Sequence, residues 1–390
     1  MIRAGSGSAV NVDGASAAAQ AARRALDAAH LTSADIAVVF AGTRHGDDEF
    51  RGVLNAVART TGARSLVGCS TTGVLTTNDE LENASAIAVL VIAGDGRLGR
   101  PLVEAGVRGD PRGAGVRLGR SAMAELDGAV AGATLVVLVD PQDLDPTAFL
   151  AGLAEGAPGL VVAGAGAAGN ESGARVFAGS SAFMGAAVGL ALPATVLPTT
   201  GTSHGCQGVS DPLPITAVEG NVILEIEGRP PVEVLREVMD QPSNRPLGRL
   251  SVPLMAGIGE RTCDGRSDYV VRPFLVPDDD PRSLAIPEPV RTGQTIRFTL
   301  RDAISARDDM KAMLDEQVQA RAHHPAAFGL YFNCAGRGSA LYGRSGLDPE
   351  LIHRRFGDLP LVGIESSFEI APTCGRAQVH MLTGVLLLAG

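Results

Sequence analysis

The chain has 390 residues, 45% of them hydrophobic and 19% charged, and this composition excludes a largely disordered protein. The formal net charge is −10, from 43 acidic and 33 basic residues, which argues against general binding to nucleic acid or to anionic membranes. Aromatic residues make up only 4% and tryptophan is absent, so few side chains are available to stack on nucleic-acid bases. We therefore expect neither nucleic acid nor a membrane as a partner.

Strands and helices alternate through the first half of the chain. Continuous apolar runs predict strands that are buried on both faces, and apolar residues at helical spacing predict the helices between them. The predicted elements of this half, in chain order, are a strand at 2–10, a helix at 15–29, a strand at 36–41, a helix at 47–59, a strand at 86–93, a strand at 102–107, a helix at 114–126, a strand at 135–139, a helix at 146–154 and a strand at 184–192.

A different region, roughly 195–290, follows and is rich in proline, aspartate and glycine. Alternation returns in the last quarter of the chain. The predicted elements of the two regions are strands at 222–226, 250–255 and 269–275 around a helix at 231–239, then a strand at 295–300, a helix at 304–321, a strand at 328–332, a helix at 348–356 and a strand at 379–388.

Three short segments share one pattern, in which an apolar pair leads into a glycine turn with small or hydroxyl side chains. They are 66–73, 161–168 and 361–368. Each lies between a predicted helix and a predicted strand. We therefore predict an α/β fold of mixed sheets with flanking helices, built from three internal β-α-β-α-turn-β pseudo-repeats that start near residues 1, 100 and 293.

The pseudo-repeats also predict the domain boundaries. Residues 1–200 form an N-terminal domain of two pseudo-repeats, 201–292 form a connector with strands, and 293–390 form a C-terminal domain. The stretch 176–203 is uncharged, but Pro193 and Pro198 interrupt it, so buried strands and loops are predicted there rather than a membrane span. The N-terminus lacks the charged and apolar regions of a signal peptide, which predicts a cytoplasmic protein.

Two elements of the sequence are similar to a known family. They are Gly68-Cys69-Ser70-Thr71, and Cys334-Ala335-Gly336-Arg337-Gly338. With Ser203-His204-Gly205-Cys206 between them and the Glu369-Ile370-Ala371-Pro372 stretch after them, they resemble, in the right order, a FIST N-terminal domain followed by its C-terminal partner. The resemblance covers nearly the whole chain.

The resemblance implies a sensory module of bacterial signal transduction that binds a small ligand such as an amino acid, and we expect an amino acid or a similar carboxylate here. No kinase, cyclase or receiver domain is recognised, so the signalling output is expected from a separate partner protein. The chain departs from the family at Thr72-Gly73-Val74, where Ala-Gly-Glu is common, and at Phe368, where glycine often precedes the Glu-Ile pair. We expect the pocket chemistry to differ accordingly.

The candidate ligand-binding residues lie at the glycine turns and at the ends of the strands. The first turn offers a thiol, hydroxyls and backbone N–H groups that suit a carboxylate or phosphate. Arg337 offers a planar fork for a carboxylate, and Glu365 offers a partner for an ammonium group. The pair would clamp a zwitterion or, alternatively, form an internal salt bridge. The full set is Gly68, Cys69, Ser70, Thr71, Asn170, Asn333, Cys334, Arg337, Glu365, Ser366 and Glu369.

Two other functions remain open, and no cofactor is expected. A small-amide hydrolase would use Cys69 or Ser70 as its nucleophile, with His204 beside Cys206 as the candidate base. Ring-opening amidohydrolases have a similar threefold repeat but use Ser–Lys pairs, and this chain has only one lysine, Lys311. The third possibility is a protein-interaction scaffold. No C-x-x-C pair or spaced histidine pair indicates a metal site, and no catalytic residues are assigned.

Overall fold

The computed structural model describes residues 2–43, 47–94, 98–171, 173–241, 253–263 and 265–390, with the side chains of residues 47 and 48 left out. The chain forms two compact units. The first comprises Met1–Thr202 and Met313–Gly390, and the second comprises Ser203–Ala312. Both contain strands and helices, and the prediction of an α/β fold with mixed sheets is confirmed.

Two successive segments of the first unit have the same order of elements. The first segment contains β1 (Arg3–Val10), α1 (Gly14–Ala29), β2 (Ile36–Gly42), α2 (Asp47–Thr61), β3 (Ser65–Thr71), β4 (Gly73–Thr76), β5 (Glu80–Glu82) and β6 (Ala86–Ala93). The second segment contains β7 (Leu102–Ala105), α3 (Pro111–Glu125), β8 (Thr134–Val139), α4 (Pro146–Gly156), β9 (Val161–Gly166), β10 (Val176–Ala178), β11 (Ser181–Phe183) and β12 (Ala186–Leu192).

A 3₁₀ turn at Ala194–Val196 precedes β13 (Thr199–Ser203), which begins the third segment. The chain then passes through the second unit and returns. The elements after β13 are β14 (Gln207–Gly208), β15 (Leu213–Glu219), β16 (Val222–Ile226), α5 (Pro231–Asp240), β17 (Leu254–Glu260), β18 (Tyr269–Arg272), β19 (Leu284–Ala285), β20 (Gln294–Leu300), α6 (Ala303–Ala320), β21 (Phe328–Cys334), α7 (Gly338–Tyr342), α8 (Leu347–Phe356), β22 (Leu361–Ser366), β23 (Phe368–Thr373), β24 (Arg376–His380) and β25 (Gly384–Ala389).

The first unit contains three sheets of six described strands, one built around each segment. In each sheet the first four places are taken by the opening strand, the last strand and the two parallel central strands of one segment. These orders are β1-β6-β2-β3, β7-β12-β8-β9 and β13-β25-β21-β22. Parallel central strands are typical of sheets that are buried on both faces, so we expect other parts of the chain to pack on each face.

The fifth and sixth places of each sheet are filled by a hairpin from a different segment. The hairpin β4–β5 of the first segment extends the third sheet, where β4 pairs with β22. The hairpin β10–β11 of the second segment extends the first sheet, and β23–β24 of the third segment extends the second sheet. Each segment thus donates two strands to a neighbour.

One face of each of the three sheets of the first unit packs into a common core. This core includes Phe40 from the first sheet, Val188 from the second, and Phe332 and Leu387 from the third. The outer face of the first sheet packs on α1 and α2, and that of the second packs on α3 and α4. Burial on two faces explains why the central strands are continuous apolar runs.

The repeated glycine of the three turn segments has a steric cause. Gly68 pairs with Val39 on the neighbouring parallel strand, and a Cβ atom there would lie 1.7 Å from the Val39 carbonyl oxygen. At Gly164 the corresponding distance is 1.8 Å, to the carbonyl oxygen of Val137. Only glycine permits this close approach of two strands.

Several predicted elements differ in detail from the structure. The strand predicted at 295–300 exists as β20, but it pairs with β14, β15 and β17 in the sheet of the second unit. The edge of the third sheet is β13 instead. The strand predicted at 379–388 is divided into β24 and β25. Residues 250–252 of the strand predicted at 250–255 lie outside the described residues.

Candidate functional site

The three segments predicted as glycine turns are in the structure mostly strand, namely nearly all of β3 and all of β9 and β22, with the two residues that follow each. These three turn segments meet and are joined by hydrogen bonds. The Thr71 hydroxyl of the first turn donates to the Glu365 carbonyl of the third, at 2.7 Å. The Ala168 N–H of the second donates to the Ser70 carbonyl of the first at 3.0 Å, and Ser367 N–H donates to the Gly166 carbonyl at 3.1 Å. The predicted site residues of the first and third turns are therefore close together, although far apart in sequence.

The first turn uses its polar atoms internally. Ser70 Oγ donates to the Ala168 carbonyl at 2.7 Å and accepts from the Arg175 N–H at 2.9 Å. Cys69 is fully buried in the common core, next to Gly68, and burial raises the pKa of its thiol far above the ordinary value. The Cys69 thiol is therefore protonated at neutral pH and is a poor nucleophile.

The end of the third turn is also an internal network. Ser366 Oγ lies 2.9 Å from the Asn333 carbonyl and 2.7 Å from Glu369 Oε1. Glu369 is fully buried, and its second oxygen accepts from the Thr383 N–H at 3.1 Å. Ser366 and Glu369 therefore hold β22, β23 and the start of β25 together.

Arg337 forms a buried ion pair with Asp348, at the start of α8. The guanidinium binds both carboxylate oxygens, with Nε–Oδ2 and Nη2–Oδ1 distances of 2.9 and 3.1 Å, and Nη2 also reaches the Tyr342 hydroxyl at 2.8 Å. Tyr331 donates a further hydrogen bond to Asp348. Burial alone would raise the pKa of Asp348, but the charge of Arg337 and these hydrogen bonds hold it below the usual value.

Three carboxylates cluster beside this ion pair. Glu80 and Glu82 are on β5, and Glu365 is near the end of β22. One oxygen atom of each lies within 4.8 Å of those of the other two. In the part of the chain that the structure describes, none of the three forms an ion pair with an arginine, lysine or histidine.

Hydrogen bonds fix the position of each carboxylate. Glu82 accepts from the N–H of Ser339 at 2.7 Å and also binds its hydroxyl. Glu80 accepts from the N–H of Gly346, and Glu365 accepts from the Thr72 hydroxyl at 3.1 Å. The carboxylates are thus held close together despite their mutual repulsion.

Burial and mutual repulsion raise the pKa of two of these acids. Burial is the largest cause for Glu80, whose pKa rises to about 7, and the charges of Asp348, Glu82 and Glu365 add to it against the Gly346 hydrogen bond. Burial likewise raises the pKa of Glu365 to about 7, with a contribution from Glu82 and opposed by Thr72. Such shifts are typical of sites that bind or transfer charge.

Asn333 lies against the carboxylate cluster. Its Nδ2 is 3.4 Å from Glu80 Oε1, and the residue is fully buried. Its Oδ1 has no hydrogen-bond donor among the described residues. A buried amide oxygen without a partner costs free energy, so this atom is a candidate ligand-binding atom.

The remaining predicted site residues lie apart from this cluster or contribute little to it. Asn170 is exposed and donates to the Thr43 carbonyl at 3.1 Å, beside the end of β2. Cys334 is partly buried, and its sulfur accepts from the Gly336 N–H. In the second unit, His204 is buried and packs on Tyr269 with ring centroids 4.3 Å apart, and burial raises the pKa of Cys206.

The sequence did not identify Glu80, Glu82 and Asp348 as members of the site. Glu80 and Glu82 are two residues apart, so an extended strand places them on one face. That signal was present in the sequence. Their partner could not be found from it, because β5 belongs to a hairpin that extends a sheet of another segment.

Two family models match the chain, the FIST N domain over residues 35–229 and the FIST C domain over residues 231–372. The chain belongs to the FIST family. FIST domains are sensory domains that bind small ligands in signal transduction. The predicted family is therefore confirmed, and the protein is a FIST protein with both domains.

Relatives of this FIST protein occur in mycobacteria. An uncharacterized protein of Mycobacterium tuberculosis strain H37Rv is 27% identical over 99% of each chain. An uncharacterized protein of Mycobacterium bovis is 29% identical over 99% of this chain and 98% of the relative. The match extends along the full length in both cases.

Two solved structures have a distant similarity to this FIST protein. A cyanuric acid hydrolase from A. caulinodans gives a TM-score of 0.29 at 13% identity, over 49% of this chain and 71% of the other. A chorismatase gives 0.35 at 10% identity, over 92% and 93%. In the described part of the chain, no helix is both long and apolar enough to cross a membrane.

Proposed function

We propose that this FIST protein is a sensor whose small ligand binds, through a positively charged group, at the carboxylate cluster of Glu80, Glu82 and Glu365. The observation that carries the proposal is the approach of three carboxylates within 4.8 Å without a paired cation among the described residues. A positive charge that enters the cluster offsets the repulsion between the carboxylates, and this favours the binding of a cation.

The guanidinium of Arg337 is already bound within the protein, and this supports a cationic rather than an anionic ligand. The zwitterion clamp considered from the sequence needs a guanidinium that faces the ligand, whereas Arg337 is bound on both sides by Asp348 and Tyr342. A ligand carboxylate would meet only like charges at the cluster. The ammonium group of an amino acid or amine fits the cluster, and a simple carboxylate does not.

The cluster also suggests how binding is reported. Glu82 accepts from Ser339, in α7, and Glu80 accepts from Gly346, in the loop that leads from α7 into α8. A cation that draws on the same oxygen atoms changes the strength of those bonds, and the loop responds. Recognition of this loop by a separate signalling partner in the cytoplasm completes the proposal.

The proposal is tested by thermal shift measurements with a panel of amino acids, aliphatic diamines and dicarboxylates. We expect amines to raise the melting temperature and dicarboxylates to leave it unchanged. Glu82→Gln should abolish the shift, and Glu219→Gln, an exposed carboxylate on β15, should keep it. Absence of any shift with amines and with inorganic cations, or an unchanged shift in Glu82→Gln, would overturn the proposal.

A second variant changes the geometry of the cluster and removes no charge. A Cβ atom at Gly73 would lie 2.5 Å from the carboxylate of Glu365, so Gly73→Ala displaces that group. We expect Gly73→Ala to weaken ligand binding. Gly109→Ala is the matched control, because a Cβ atom there meets nothing within 4 Å.

A further inference from the structure

We infer that the carboxylate cluster, together with Asn333, is a binding site for a hard divalent metal cation of the Ca²⁺ or Mg²⁺ class. The inference rests on the ligand site proposed above and adds a metal ion to the cations that this site binds. No metal site was expected from the sequence.

The donor set is made entirely of oxygen atoms. Glu80, Glu82 and Glu365 each supply a carboxylate oxygen, and hard cations such as Ca²⁺ and Mg²⁺ prefer oxygen ligands. Zinc and copper sites draw on histidine or cysteine, and the cluster contains neither.

The spacing of the oxygen atoms suits one ion. Oxygens that bind Ca²⁺ lie about 2.3–2.6 Å from it, so two ligands on opposite sides of the ion are about 4.8 Å apart. The three carboxylate oxygens already lie within 4.8 Å of one another. This spacing allows one ion to contact all three oxygens.

Asn333 provides an observation that is independent of the acidic residues. Its amide oxygen is buried and has no hydrogen-bond donor among the described residues, although its amide nitrogen contacts Glu80. A half-turn of the amide group exchanges the two atoms and directs Oδ1 towards the cluster. A cation there would satisfy this oxygen, and amide oxygens are common ligands of Ca²⁺.

The charges around the site favour a divalent ion. The cluster offers three carboxylates, and the adjacent Asp348 is neutralised by Arg337. Arg337 is held away in a bidentate pair, so no described side chain supplies a competing positive charge to the three glutamates. Two positive charges on one ion offset most of the charge of the cluster.

The test is isothermal titration calorimetry of the full chain, freed of metals with EDTA and desalted, against Ca²⁺, Mg²⁺ and Mn²⁺. We expect saturable binding of one ion per chain for at least one of them. Glu82→Gln and Glu365→Gln should each weaken it at least about tenfold. Glu219→Gln is the matched control and should bind as the wild type does.

Asn333→Asp tests whether Asn333 is the fourth ligand, because it should increase the affinity for the metal. A carboxylate at this position adds a charged ligand, so we expect tighter metal binding and a larger rise in melting temperature on adding the ion. A purely structural role for Asn333 predicts loss of stability with no gain in affinity. Circular dichroism confirms that each variant is folded before titration.

The inference is overturned if the folded wild type binds none of the three ions up to about 5 mM, beyond the weakest natural Ca²⁺ sites. It is also overturned if binding is unchanged in both glutamate variants. If amines still raise the melting temperature of the wild type in that case, only the metal inference fails and the sensor proposal stands. If neither amines nor metals bind, both fail.

Discussion

Arg337 is a residue whose partner in the structure, Asp348, was not identified from the sequence. Its planar fork and its position near the end of a predicted strand suggested a ligand-facing guanidinium. The structure pairs it with Asp348, which the sequence placed only near a helix start. By contrast, Asp145 caps α4 as its position suggests, by accepting from the Ala148 N–H at 2.9 Å. The difference could not be read from spacing, because both aspartates precede or open a helix.

The Arg337–Asp348 pair should be essential for stability. Removing one partner leaves a buried charge without compensation, which costs about 3–5 kcal/mol. We therefore expect Arg337→Met to lower the free energy of unfolding by about that amount in urea titrations. Arg344→Met, which removes an exposed pair with Glu350, should cost no more than about 1 kcal/mol.

The double variant Arg337→Met with Asp348→Leu should recover part of this loss, because no charge remains buried. A loss below about 1 kcal/mol in Arg337→Met alone would contradict the pairing. It would indicate that water reaches the site and solvates Asp348.

Glu80 and Glu365 should make the metal-free protein less stable as the pH rises. Their pKa values are about 7 in the folded state, against an ordinary value of 4.5. The folded protein therefore binds more protons than the unfolded chain between these values, and the free energy of unfolding falls as the pH rises from about 4.5 to above 7. The check is urea unfolding across this range in EDTA.

The double variant Glu80→Gln with Glu365→Gln should lose this part of the pH dependence and exceed the wild type in stability at about pH 8. Glu219→Gln should keep the wild-type profile. A wild-type slope in the double variant would show that other groups cause the dependence, since Glu82 and Asp348 also face the cluster.

At the scale of the element, the sequence predicted the long central strands and the helices to within a few residues. One example is β2, predicted at 36–41 from its apolar run and found at Ile36–Gly42. Another is α2, predicted at 47–59 from its helical periodicity and found at Asp47–Thr61. Short exchanged hairpins such as β4–β5 were not predicted. Strands of three or four residues carry little periodicity, and nothing local indicates the sheet that they join.

The repeated glycines of the three segments are a feature that the sequence revealed and the structure explains, although they lie in strands and not in turns. Because a Cβ atom at Gly68 would meet the backbone of Val39, Gly68→Ala must separate β2 from β3. We expect this change to lower the free energy of unfolding by at least about 1–3 kcal/mol. Gly109→Ala, with open space around it, is the control and should have little effect.

The measurement is urea unfolding followed by far-ultraviolet circular dichroism. Equal stability of Gly68→Ala and Gly109→Ala would mean that β2 and β3 can separate at no cost. The steric account of the repeated glycines would then be wrong.

At the scale of the molecule, no sheet of the first unit is completed by a single segment. The N-terminal domain predicted at 1–200 contains β4 and β5 but not β22, their partner, and it lacks the β23–β24 hairpin that extends the second sheet. The boundary was drawn from the pattern along the chain. Exchange between segments does not alter that pattern, so the sequence could not show it.

A fragment of residues 1–198 should therefore fail to form a stable native fold. Unpaired strand edges and the inner faces of two sheets would be exposed. We expect narrow dispersion of amide signals in NMR, binding of the dye ANS, and no cooperative unfolding in urea. The full chain is the control, and cooperative unfolding of the fragment with dispersed signals would contradict the expectation.

The donated hairpins form a closed cycle, in which the first segment gives to the third, the third to the second, and the second to the first. Glu80 and Glu82 lie on the hairpin that the first segment donates, and Glu365 lies on β22 of the third segment, which receives it. A cation bound between them would hold the donated hairpin to the sheet that receives it. The ligand would thus change how strongly two segments associate, and through the cycle this bears on the cohesion of the whole first unit.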